Sequence, residues 1–406
     1  MKKLAIFALS VFTLLGVFVM SASAFEFGYM GNTSFAMGGS GVGNANSAWG
    51  LYYNPALQGV DNNFKVGYSL GMRVRESGLS ELKNFDLGKL NGNIDAVNKV
   101  LKNNEIALTS ENGIVLQAPL SLGSVFSHSI AAGIFYTKRN VANVSGYLQN
   151  STSNIDSATN AYLVNNNLDI LEVPISYTMQ VYTGGFGTFY AGVALKYIYA
   201  THSANKIKMT QHTDFGAPFR DIFRIPNGAR THNFGIDVGL AYSLPNEWLV
   251  IGIVGKNLTS PTIKTQNLTG TNGALTDSAK LKMDAQYRLG LSTRAIPRTT
   301  IAMDFDLVPN YEFSGFNTRI DANAVIARKK VQYISLGAMV DAKILDVRVG
   351  VAKNIAESNP KDGWLLSAGI GMGYIDLALF TGTKMSKAIK NLPAEFGIKL
   401  GGSVSF

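Results

Sequence analysis

From Asn63 to the end of the chain, apolar residues recur at every second position, the period of a strand with two unlike faces. In 299–307, Ile301, Met303, Phe305 and Leu307 share one face, while Thr300, Ala302, Asp304 and Asp306 share the other. Phe234, Ile236, Val238, Leu240 and Tyr242 alternate with Asn233, Gly235, Asp237, Gly239 and Ala241, and Leu345, Val347, Val349 and Val351 alternate with Asp346, Arg348, Gly350 and Ala352. The pattern predicts about fourteen strands, near 63–74, 113–120, 127–137, 169–182, 188–200, 231–244, 248–258, 281–293, 299–308, 330–341, 345–353, 363–373, 375–381 and 393–406. A soluble sandwich with its apolar face turned inward would alternate too, so period alone leaves the fold class open.

Connection lengths separate the two. Links after even-numbered strands are short: 121–126, 183–187, 245–247, 295–298, 342–344 and Tyr374 alone. Links after odd-numbered strands are mostly long and polar, such as 140–167, 201–230, 260–280 and 309–329. Tight turns on one side and long loops on the other are what a meander across a membrane produces, with an even strand number. The expected fold is therefore all-β, a transmembrane antiparallel up-and-down barrel over 61–406. Its last strand puts Phe396, Ile398, Leu400, Val404 and Phe406 on one face. A terminal strand finishing in Phe resembles the signal read by the bacterial barrel-assembly machinery, so Phe406 is the expected assembly signal.

One stretch breaks the period of two. Leu79, Leu82, Leu87, Leu90, Ile94, Val97 and Leu101 recur at three- to five-residue steps, which predicts one or two amphipathic helices in the first long loop. They would either cap the barrel mouth or form a partner-binding arm.

The N-terminus changes the picture further. Met1-Lys2-Lys3, an apolar stretch to about Met20 and then Ser21-Ala22-Ser23-Ala24 describe a secretory signal peptide over 1–24. An uncleaved anchor is the alternative, but the apolar run is short for a bilayer. Between the leader and the first strand, "FAMGGSGVGNANSAWGLYYNPALQ" is too apolar for a disordered tail and too rich in Gly, Ser and Asn for a regular element. A barrel of about eight strands fills its bore with side chains, whereas a wider one is open or plugged. Residues 25–60 are accordingly the expected plug, with a bend-prone backbone, internally packed aromatics, and Asn54-Pro55 fixing the exit.

Composition fits a membrane barrel: 46% hydrophobic residues, only 16% charged, 42 glycines and 17 tyrosines, against about a quarter charged in soluble domains. Zero cysteines excludes disulfides and thiol chemistry. The formal charge of +9 is scattered among acids, which argues against nucleic acid and for an anionic membrane surface. Lys206, Lys208, Arg220, Arg224 and Arg230 are candidates for lipopolysaccharide phosphates, beside ordinary loop solvation.

The glycine run carries no nucleotide fingerprint: 38–43 is not followed by Gly-Lys-Ser/Thr, and position 44 is not the third glycine of a dinucleotide site. No catalytic residues, cofactor or metal are expected. His202, His212 and Asp214 lack tight ligand spacing and read as solvated loop residues, and no nucleophile with a base stands out. Inward-facing Glu172, Lys196, Asp237, Arg288, Asp304, Asp306, Arg348, Asp376 and Lys399 mix signs on nearby strands. They form either a paired polar wall that anchors the plug or a selectivity path.

"AMGGSGVGNANSAWGLYYNPAL" resembles the N-terminal signature of the FadL-like outer-membrane proteins, and "VGLAYSLPNEWLVIGIVGKNLTSP", "DFDLVPN" and "VRVGVAKNI" resemble the TraF-like conjugal-transfer barrels within that superfamily. The resemblance covers nearly the whole chain after the leader. It implies an N-terminal hatch, here Met37, Gly38, Gly39, Gly41, Tyr53, Asn54, Pro55 and Ala56, that blocks the bore. It further implies passive transfer of a hydrophobic small molecule, released by hatch movement and a lateral wall opening. The expected role is thus passive diffusion of hydrophobic compounds through the bacterial outer membrane, in contact with lipid and lipopolysaccharide. The alternative is a closed structural barrel in a conjugation or secretion complex. Uptake would require an apolar cavity beside 37–53; a bore packed solid would favour the scaffold.

Overall fold

The computed structural model describes residues 24–25, 27–44, 47–77, 105–123, 126–145, 162–208, 228–268, 275–276, 280–316, 326–359, 362–386 and 392–406. Fourteen strands close into one barrel. In chain order they are β1 Lys65–Ser77, β2 Glu105–Leu120, β3 His128–Ser145, β4 Tyr162–Gly184, β5 Gly187–Lys208, β6 Ala229–Ser243 and β7 Val250–Lys256. They continue as β8 Gln286–Thr293, β9 Thr299–Asp306, β10 Tyr333–Asp341, β11 Asp346–Asn354, β12 Trp364–Met372, β13 Ile375–Gly382 and β14 Glu395–Ser405. Each strand pairs antiparallel with the next, and β1 pairs with β14 from Lys65↔Ser405 to Arg75↔Glu395 to close the ring.

The two faces sort as the period of two requires. Leu70, Ile114, Leu195, Val349, Ile370 and Leu400 stand exposed on the outer wall, while Lys196, Asp237, Arg288, Asp304, Arg348 and Lys399 are buried on the inner one. An outward apolar wall around a polar interior is stable only with hydrocarbon outside.

Strand length is uneven. The 8 residues of β8 and of β9 barely cross an apolar core, whereas β4 and β5 run for 23 and 22 residues. The fourteen expected strands are all present, but β2 to β5 are longer than expected at their loop ends. Stretches assigned to loops, such as Asn165-Asn166-Asn167 and His202-Ser203, are paired strand. Beyond the bilayer the outer face need not be apolar, so the alternation fades while the ladder continues. The expected helices over 79–106 fall outside the described residues up to Asn104, and Glu105 and Ile106 open β2.

Two accessory strands, Asn310–Phe316 and Ile326–Val331, form a hairpin between β9 and β10 in a stretch expected to be loop. The hairpin reaches inward: Phe313 is buried in an apolar cluster with Val141, Leu168, Ile170, Ile198 and Met283. Its Glu312 pairs with Arg73, at 3.7 Å, and with Arg75 of β1. Its outer edge pairs in parallel with Ala24–Phe25, as Ala24↔Asn310 and Phe25↔Tyr311.

Candidate functional site

Between that parallel pair and β1, the chain runs down the inside of the barrel as three short helices, α1 Asn32–Ala36, α2 Gly50–Tyr53 and α3 Leu57–Val60, joined by loops. Gly38 (φ 71°) and Gly39 (φ 92°) take the left-handed conformation that reverses the backbone after α1. Asn54 organises the exit: its Oδ1 accepts from the Ala56 N–H at 3.0 Å, and its Nδ2 donates to the Val42 and Leu240 carbonyls, each at 3.1 Å. The aromatics pack on one another and on the wall, with Phe27 stacked on Tyr53 at 5.9 Å, Tyr52 edge-on to Phe135 at 5.2 Å and Phe35 tilted on Phe380 at 5.3 Å. Tyr53 donates to the Met30 carbonyl at 2.8 Å, and burial, reinforced by Glu111, pushes its phenol pKa up and keeps it a donor.

The wall answers with a belt of mostly small residues, three triplets each in ladder register and each stepped two residues from the next. Thr178, Gly192 and Gly239 lie side by side on β4 to β6. Gly252, Gly290 and Asp304 follow on β7 to β9, and Gly337, Gly350 and Ser367 on β10 to β12. A Cβ on Gly192 would sit 2.6 Å from the Ala56 nitrogen, and one on Gly239, Gly290, Gly337 or Gly350 would overlap Asn54, Gly43, Met37 or Gly38. The belt is therefore a seat on which backbone lies against backbone.

Polar side chains of the belt supply the hydrogen bonds. Asp304 accepts from the Gly41 N–H at 2.8 Å and the Val42 N–H at 3.0 Å. The Ser367 hydroxyl accepts from the Gly38 N–H at 2.9 Å, Thr178 donates to the Pro55 carbonyl at 2.6 Å, and Ser40 and Ser335 meet hydroxyl to hydroxyl at 3.0 Å. Met37, Gly41, Tyr53, Asn54, Pro55 and Ala56 are all buried here.

The expected polar wall is a tier of buried ion pairs, most of it lying on the loop side of the belt. Lys196 lies 2.9 Å from Glu172 and 3.0 Å from Asp237, Arg288 lies 2.6 Å from Asp306, and Arg348 lies 3.0 Å from Asp376. Lys399 lies 3.5 Å from Glu111. Phe27 lies under Arg288, and Tyr52 under Lys256 at 3.5 Å from its ring centre. Glu111, Lys256 and Arg73 are members that sequence reading passed over. Counting alternate positions inward from Lys65 would have reached Arg73, and from Val250, Lys256; Glu111 stands two residues before the expected start of its strand.

Beside Tyr52 and Gly28 lies a cavity of about 40 Å³ whose lining includes Glu111, Glu172, Lys196 and Lys256. It has room for a few waters, and its charged side chains share the lining with Ile170 and Met283. Beside 37–53 the aromatics of this segment face each other, and the wall beyond them is ionic.

The wall is interrupted on both sides of the β2–β3 pair. Between β1 and β2 the ladder pairs Ser69 with Gly113 and resumes at Met72 with Ser110. In the interval Asn112 Oδ1 takes the Gly71 N–H at 3.0 Å, the Ser110 hydroxyl donates to the Gly71 carbonyl at 3.0 Å, and Lys399 donates to the Glu111 carbonyl at 3.1 Å. Between β3 and β4 pairing stops at Ala132↔Ile175 and resumes at Phe135↔Glu172, across Pro174, which has no N–H to give.

The remaining candidates are scattered. His202 is buried, with Nε2 2.6 Å from Asn166 Oδ1 and Nδ1 accepting from the Gln266 N–H at 3.0 Å, so the solvated-loop reading of this histidine is corrected: its strand continues past it. His212, Asp214, Arg220 and Arg224 lie outside the described residues, as do the side chains of Lys206 and Lys208; Arg230 is exposed on β6. Phe406 lies at the seam, its ring 5.7 Å from Phe64 and its N–H donating to the Phe64 carbonyl at 2.9 Å.

A closed fourteen-strand antiparallel barrel, apolar outside and filled by its own N-terminal segment, has the fold of the FadL-like outer-membrane barrels. The structure of the Pseudomonas putida toluene transporter TodX aligns with a TM-score of 0.54 at 14% identity, covering 95% of this chain and 99% of that one. The Ralstonia pickettii toluene transporter TbuX gives 0.52 at 14% over 96% and 100%, and a Pseudomonas aeruginosa FadL homologue 0.54 at 11% over 95% and 100%. No curated protein matches the sequence. The family described as "F plasmid transfer operon, TraF, protein" matches residues 51–306, more than half of the chain, and the chain belongs to that family.

Proposed function

We propose that this barrel lies in the outer membrane and lets small hydrophobic molecules pass by diffusion when its N-terminal segment, a hatch, leaves the seat. The observation that carries this reading is how the segment is held. Among the described residues its ladder pairs are Ala24–Phe25 with the accessory hairpin, of which Phe25 stays when a leader ending at Ala24 is removed; against the barrel it has side-chain hydrogen bonds and glycine contacts, which part without breaking the ring. The interruptions flanking β2 and β3 supply a sideways exit into lipid, where an apolar molecule is more soluble than in the charged tier. Structures of similar fold include proteins described as toluene transporters, which supports monoaromatic compounds as the first substrates to try. Export on the leader, insertion through Phe406 by the assembly machinery and loops facing lipopolysaccharide complete this reading.

The test uses the absence of native cysteine. Replacing Ser40 and Ser335, whose hydroxyls touch, with cysteine ties the hatch to β10 under oxidation. Toluene uptake by cells with a lipopolysaccharide outer leaflet should fall to the barrel-free rate when oxidised and recover on reduction. Equal uptake in both states rejects the hatch.

A second reading, a closed scaffold in an envelope complex, is favoured by one observation, the close packing of the segment's aromatics on one another and on the wall. Unassisted uptake equal to that of barrel-free cells, with the protein folded, would select it.

A further inference from the structure

Glu111 and Lys399 occupy an unusual position, since each touches both the inner segment and the interruption between β1 and β2. The Glu111 carboxylate accepts the Tyr29 N–H, at 3.2 Å to Oε2, and lies 3.5 Å from the Lys399 ammonium. The same ammonium donates to the Glu111 backbone carbonyl at 3.1 Å and lies 5.4 Å from the centre of the Phe35 ring on α1. To reach this place the Lys399 stem crosses Gly71, where a Cβ would meet it. Gly71 is the β1 residue whose own N–H and carbonyl have been handed to Asn112 and Ser110.

We infer that Glu111 and Lys399 couple the seat of the N-terminal segment to the wall, so that withdrawal of the segment loosens the interruption between β1 and β2. The inference rests on the hatch reading and adds to it the residues through which the hatch and the side wall sense each other. The physical reason is desolvation. With the segment seated, the pair is withdrawn from bulk water, Glu111 and Lys399 being 6% and 2% exposed, and a charge-assisted bond from Lys399 to the Glu111 carbonyl is strong. Once Tyr29 and Phe35 leave, water from the bore reaches both charges, the Glu111 carboxylate loses its backbone donor, and the ammonium is solvated away from the carbonyl it was closing. Across the interval the described bonds that remain are then those of Asn112 and Ser110 to Gly71. By linkage the reverse follows: an intact wall strengthens the seat by the same factor.

The experiment reads the two ends separately in the cysteine-free chain. Val42→Cys, buried under Asp304, reports water access to the inner segment through its rate of maleimide labelling. A spin-label pair at Leu70→Cys and Leu116→Cys, both facing outward on β1 and β2, reports the wall. The segment is released from the far side of the barrel by Asp304→Asn, or by Asn54→Ala with Pro55→Ala. With Lys399 present, either release should raise the wide-distance population about tenfold, in step with Val42→Cys labelling. With Lys399→Met the wide population should be present from the start and change less than twofold on release, and Lys399→Arg should restore the dependence. Faster labelling with an unchanged distance distribution overturns the coupling and leaves the hatch standing, as does a Lys399→Met wall that stays narrow or still follows release. If neither release variant speeds labelling, the hatch itself fails and the coupling falls with it.

Discussion

Asp304→Asn offers a quantitative test of how the N-terminal segment is held. Asp304 is 2% exposed and accepts two backbone N–H groups, Gly41 at 2.8 Å and Val42 at 3.0 Å. Hydrogen bonds to a charged acceptor are worth about 1.5–3 kcal/mol each. Asparagine keeps one oxygen for one donor, loses the charge, and leaves the second N–H facing an amide that cannot accept. The expected loss is therefore roughly one charged bond, ~1.5–3 kcal/mol, or about 10- to 150-fold in the population of any state that lifts 41–42 off the seat. Carried on Val42→Cys and labelled with a soluble maleimide under conditions where reclosing outruns reaction, the labelling rate should rise by that factor. Asp306→Asn is the comparison, since Asp306 pairs with Arg288 and the Tyr333 N–H and makes no described bond to the inner segment. An Asp304→Asn barrel that folds normally and labels within twofold of the parent would refute the claim that these two bonds hold the segment.

Two further predictions follow the same contacts. Replacing Asn54 and Pro55 together with alanine removes both Asn54 carbonyl contacts and the turn at Ala56, and should raise entry of a large antibiotic or dye; unchanged permeability in a folded barrel counts against a bore-closing segment. Gly350→Val should unseat 37–38, since a Cβ there overlaps Gly38 N, and should speed Val42→Cys labelling, whereas Gly185→Ala, with open space around it, should change nothing.

Strand number, turn parity and many of the inward charges, though not Glu111, could be read from the sequence, because a membrane imposes its two-faced pattern on every residue that crosses it. Legibility stopped where that constraint stopped. Above the bilayer, Asn165-Asn166-Asn167 looks like loop and is strand, held by a ladder that leaves no trace in hydropathy. The hairpin at 310–331 was missed because its burial comes from folding into the bore, so that Phe313 faces apolar residues from distant strands. Gly192, Gly239, Gly290, Gly337 and Gly350 each look like an ordinary small residue on the polar face; their meaning as a stepped row under the inner segment appears only once the strands are paired.

The parallel pair Ala24–Phe25 with Asn310–Tyr311 has a consequence for assembly. The seam between the first and last strands lies outside a thread that enters at the turn side and surfaces among the loops, so the finished molecule is a needle already threaded. A compact domain grafted ahead of this pair would have to sit on the loop side of the barrel, and one that folded first could not follow the thread through so filled an eye. Fusions meant to report on this protein belong in the loops.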